Sequence, residues 1–174
     1  MDRVPVNDTI IYSLARLVDD AQKERRDPSH SDIEFQLDRA GLSHADPNKA
    51  GPPVGKAKRL RTVLNWALEN DIAKAEKLAV GIISSVKGCG GFRASSPNFV
   101  GADAIADLSA ALRPQNIALG EDGSMSPVAL DSLSGRNLTQ ALRGYVNRAK
   151  KGIEDAALVV GTSKDLMEVQ CVFY

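Results

Sequence analysis

Four cations crowd into six residues at Lys56-Ala57-Lys58-Arg59-Leu60-Arg61, directly after Gly55. Lys and Arg at this density can neutralise the phosphates of a nucleic-acid backbone. On a helix, Lys58 and Arg61 share one face while Leu60 points to the core. Cations at a helix start also oppose the helix dipole, which sets the cluster apart from an ordinary solvated face, the alternative reading. Gly55-Lys56 is not a phosphate-binding Walker loop. That pattern needs a glycine five residues before Gly55 and a hydroxyl residue after Lys56, where the chain has Ala50 and Ala57.

Two further features could carry chemistry. The run Gly88-Cys89-Gly90-Gly91-Phe92-Arg93 is either a backbone nest for an anion beside Arg93 or a tight crossing where only glycine fits. The stretch Arg136, Arg143, Arg148, Lys150 and Lys151 gives a basic helix face that can meet RNA or DNA backbone, or pair with Glu154 and Asp155 of the next helix. Catalytic constellations are thin. His30 and His44 read as residues of polar loops without a metal partner at fixed spacing, and no GxSxG, HExxH or Cys/His set is present. No catalytic residue, metal or cofactor is assigned.

The elements that must position these residues are helices. Apolar residues recur at helical spacing over about 8–22, with Asp8 as cap, and over a second helix capped by Ser31 and stopped by Gly41. Residues 43–55, with three prolines and two glycines, read as a loop. Helices are expected at about 56–69, 71–87 and 101–113. A short β-hairpin follows near 116–126 on the Asp122-Gly123 turn. Two more helices are expected at about 136–151, with Val146 inside, and from Glu154 onward. The fold expectation is therefore mainly α, a bundle of about six to seven helices with one short β-hairpin. The hairpin and its preceding helix also permit a winged-helix reading, but Asp103 and Asp107 on 101–113 would repel phosphate.

Composition bounds the rest. The 174 residues carry 22 Lys plus Arg against 22 Asp plus Glu, so no global field draws the chain to a polyanion and any binding is local. Cys89 and Cys171 lie far apart, the start is polar, and the longest apolar run is far short of the roughly 18 residues that span a bilayer. The expectation is a cytoplasmic chain without membrane contact.

The stretch from Leu133-Ser134-Gly135-Arg136-Asn137 through Tyr145-Val146-Asn147-Arg148-Ala149, followed by Gly161-Thr162-Ser163-Lys164-Asp165-Leu166, resembles bacterial abortive infection family proteins. Upstream, Gly55-Lys56-Ala57-Lys58-Arg59, Leu64-Asn65-Trp66-Ala67, Cys89-Gly90-Gly91-Phe92-Arg93 and Asn98-Phe99-Val100-Gly101 carry the same resemblance. It implies phage defence, with an N-terminal helical domain over 1–132 and, over 133–174, the start of a C-terminal domain similar to HEPN modules, many of which are metal-independent ribonucleases. In those, an Arg polarises the scissile phosphate and a His moves a proton. Here no His follows residue 44, and the chain reads as truncated before that motif. The resemblance implies a sensor, scaffold or nucleic-acid-positioning piece without its own catalysis. The rivals are a ribonuclease site completed in trans, with Arg136, Arg143 and Arg148, and a DNA-binding regulator using Lys56–Arg61. Expected nucleic-acid contacts are Lys56, Lys58, Arg59, Arg61, Arg93, Arg136, Arg143 and Arg148. Expected partners are RNA or DNA backbone and a second copy through the C-terminal helices.

Overall fold

A computed structural model of the chain describes residues 3–19, 27–128, 143 and 146. It is mainly helical with one two-stranded hairpin. The helices are α1 (Asp8–Leu17), α2 (His30–Ala40), the single turn α3 (Pro47–Ala50), α4 (Lys56–Asn70), α5 (Ile72–Gly88) and α6 (Ala102–Leu112). Strands β1 (Ile117–Leu119) and β2 (Met125–Pro127) follow. The chain divides into two compact units, Met1–Ala111 with Leu119–Ser126, and Leu112–Ala118 with Pro127–Tyr174. The boundary expected at 132–133 and the helices expected beyond 136 lie outside the described residues, apart from Arg143 and Val146. Both are helical and exposed, so Val146 does not point inward as expected.

The helix starts differ from expectation by a residue or two. Asn7, not Asp8, caps α1 by accepting from the Ile10 N–H at 2.9 Å. Ser29, not Ser31, caps α2, and Asp32 returns a bond to the Ser29 N–H at 2.8 Å, completing a capping box. Gly41 ends α2 as expected. Asp71 serves two helices: its N–H donates to the Ala67 carbonyl at the end of α4, and its carboxylate accepts from the Lys74 N–H at the start of α5. The expected loop 43–55 contains α3 and a 3₁₀ turn at Ser43–Ala45.

The core of the first unit is aliphatic. Ile10, Leu14 and Leu17 of α1, Ile33 and Leu37 of α2, Leu60 and Leu64 of α4, and Leu78, Ile82 and Ile83 of α5 are fully enclosed. Helix α1 packs on α4 and α5, and α2 packs on α5 and α4. Each such side chain contributes about 1.5–3 kcal/mol by leaving water. This packing fixes which face of α4 is left outside. No helix among the described residues is long and apolar enough to cross a membrane.

Candidate nucleic-acid interface

Helix α4 turns its cations in two directions. Lys56 and Arg59 are buried, at 2% and 3% exposure. They lie four residues before Leu60 and Val63 respectively, so one stripe carries both the cations and the apolar core residues. The Lys56 ammonium donates to the Pro28 carbonyl at 3.1 Å. The Arg59 guanidinium grips the enclosed Asp46 carboxylate with Nε (2.9 Å) and Nη2, and its Nη1 donates to the His30 carbonyl at 2.8 Å. Burial pushes the Asp46 carboxyl up. The hydrogen bonds from Arg59 and the Asn48 N–H and the charges of Arg59 and Lys49 outweigh it, and the group is held below the usual carboxylate range. These two cations therefore lock α4 to the segment before α2 and to the loop before α3. This corrects the expectation that Lys56 and Arg59 contact nucleic acid, since both are spent on the interior. What helical periodicity could not supply was the partner, Asp46, which lies thirteen residues earlier in a proline-rich stretch.

Lys58 and Arg61 face solvent. The Arg61 guanidinium carbon lies 5.8 Å from the centroid of the Tyr12 ring on α1, a cation–π arrangement. Tyr12 is 60% exposed, so this ring serves the surface. On the other flank of the same helix, Trp66 meets His44 edge to face, with centroids 4.6 Å apart and planes at 83°. His44 belongs to the 3₁₀ turn and His30 to the first turn of α2, so neither sits in an open polar loop. Among the described residues no three His, Cys, Asp or Glu side chains gather as a metal site.

The glycine loop behaves as a crossing. Its backbone donors point inward: the N–H groups of Gly90, Gly91 and Arg93 donate to the carbonyls of Lys87, Val86 and Gly90. A Cβ on Gly91 would lie 2.9 Å from the Val86 carbonyl oxygen and 3.1 Å from Val100 Cγ1, so only glycine fits. Arg93 is exposed, but those three N–H groups are not free for an anion. Burial, with Asp27 and Asp32 nearby, pushes the Cys89 thiol up and makes it a poor nucleophile. On α6, Asp107 is taken by an ion pair with Arg16.

The structure thus brings Lys58 and Arg61 together on one exposed face, turns Lys56 and Arg59 inward, and leaves Arg93 on a separate loop. Arg143 is exposed. Arg136 and Arg148 lie outside the described residues, as does the expected dimer surface of the C-terminal helices. Tyr12 went unnoticed in the sequence because nothing local links α1 to α4. No family model, curated protein or solved structure matches the chain.

Proposed function

We propose that the chain is a cytoplasmic phage-defence protein of the abortive infection kind, and that its described part positions nucleic acid by the phosphate backbone on the outer face of α4. The defence context rests on the sequence resemblance. The positioning role rests on one observation: Lys58 and Arg61 share an exposed helix face, where the Arg61 guanidinium lies against the Tyr12 ring. A pre-ordered guanidinium loses less freedom on meeting phosphate than a mobile one. Where the net charge is zero, two neighbouring cations supply the local potential that composition as a whole does not.

The test is fluorescence anisotropy of a labelled oligonucleotide over a series of salt concentrations. Lys58→Ala with Arg61→Ala removes two phosphate contacts. The log–log salt slope should fall by about 1.4–1.8, and affinity at low salt should fall at least about ten-fold. Binding that ignores both salt and this double substitution sinks the proposal.

A further inference from the structure

We infer that the polymer held on α4 is single-stranded nucleic acid, with bases stacked on two side-chain pairs, Tyr12–Arg61 and Trp66–His44. This rests on the phosphate-positioning reading above and adds the class of ligand. Arg61 and Trp66 are five residues apart, which puts them about 140° apart around the helix and about 7.5 Å apart along it. They therefore stand on opposite flanks of the exposed face, and Lys58, Thr62 and Asn65 lie between them, all exposed. A cation and two hydrogen-bonding side chains are thus bracketed by two aromatic surfaces.

That pattern is poorly matched to a duplex. Paired bases are already stacked and leave only phosphates and edges outside, so a flanking ring gains nothing from them. An unpaired base offers a free π-face to an aromatic ring or a guanidinium plane. At the Tyr12 flank the guanidinium carbon lies 5.8 Å from the centroid of the exposed ring, and an unpaired base can stack on either surface. At the other flank, Trp66 is 37% exposed beside His44.

Charge selects this site over a look-alike. Phe35, 59% exposed, has Arg39 at 5.8 Å on α2, but Glu34, Asp38 and Lys49 surround it, so opposite charges balance there and no net positive potential draws a polyanion. On the α4 face, the nearest carboxylates along the two helices are Asp8, one turn before Tyr12, and Glu69, one turn after Asn65. They lie one turn beyond the site along each helix and bound it there.

Trp66 is the sole tryptophan, so its emission reports stacking directly. The full chain is titrated with oligouridine, oligothymidine, duplex RNA of equal length and polyglutamate, with anisotropy in parallel. Both single strands should quench Trp66 saturably and bind at least about ten-fold more tightly than the duplex. Tyr12→Ala and Trp66→Ala should each weaken oligouridine binding roughly ten-fold or more, while Tyr12→Phe and Trp66→Phe retain it and melting curves confirm folding. If an alanine variant does not fold, wild-type quenching and the phenylalanine variants still decide. Duplex binding as tight as single-strand binding, or unquenched Trp66 while Lys58→Ala with Arg61→Ala still abolishes binding, overturns the stacking inference and leaves phosphate positioning intact. Polyglutamate acting as well as oligouridine also overturns it, in favour of an acidic protein partner. Indifference to the double cation substitution removes the reading beneath it.

Discussion

Adjacent residues 58 and 59 show how little residue type alone decides. Lys58 faces water, and Arg59 is enclosed with three bonds to Asp46 and His30. Arg59→Ala strands the Asp46 carboxylate in the interior, and breaking a buried pair this way costs about 3–5 kcal/mol. Thermal melting should show a large fall in midpoint, whereas Lys58→Ala should stay within about 0.5 kcal/mol of the parent. Arg59→Lys should rescue only part of the loss, because an ammonium cannot reproduce the planar fork. Equal midpoints for Arg59→Ala and Lys58→Ala would contradict the burial. The sequence placed Lys58 and Arg61 on one face by spacing alone. It groups Lys56 and Arg59 with them because four cations in six residues look like one patch until the apolar stripe is drawn through them.

Helices were legible where periodicity was strong. Expected and observed spans for α4 and α5 agree within a residue at each end, since each carries a continuous apolar stripe. Their caps were less legible. Ser29 with Asp32 and Ser31 with Glu34 are competing boxes of the same kind. Long-range bonds from Lys56 to Pro28 and from Arg59 to His30 fix the segment and favour the earlier start. The hairpin was legible from Asp122-Gly123, but its support was not. Gly123 has φ +77°, and a Cβ there would fall 2.5 Å from the Phe92 ring, while Lys87 pairs with Asp122 at 2.9 Å. Gly123→Ala combines left-handed strain with that clash and should cost about 1–3 kcal/mol, read as a lower urea midpoint at unchanged slope. Gly88→Ala, where no atom crowds the added methyl, is the control and should not lower it.

Across the whole described structure, acid is the predicted weak point. Asp32, Asp46, Asp71 and Asp122 all hold their protons less tightly than a free carboxyl. At Asp32 the Ser29 hydroxyl and N–H are responsible. At Asp71 it is Lys74, and at Asp122 it is Ser124 with Lys87. At Asp46 the arginine and backbone bonds prevail over burial. A carboxyl depressed in the folded state contributes stability that is complete above the unfolded value near about 4 and is lost as pH falls through the lower folded values. The melting midpoint should therefore hold from neutral pH to about 5 and drop below about 4. Asp46→Asn should lower the neutral midpoint and flatten the acid slope, and a parent curve that stays flat to pH 3 would refute the assignment. The Arg59–Asp46 lock has one more effect, best put in terms of fields. Two opposite charges enclosed side by side present a short dipole, whose potential dies away faster with distance than that of a lone charge. A polyanion approaching from afar does not sense them. On the outer face of α4 it senses the exposed monopoles, Lys58 and Arg61 with Glu69 beyond them, so the lock that holds the helix in place also sharpens where a charged strand lands.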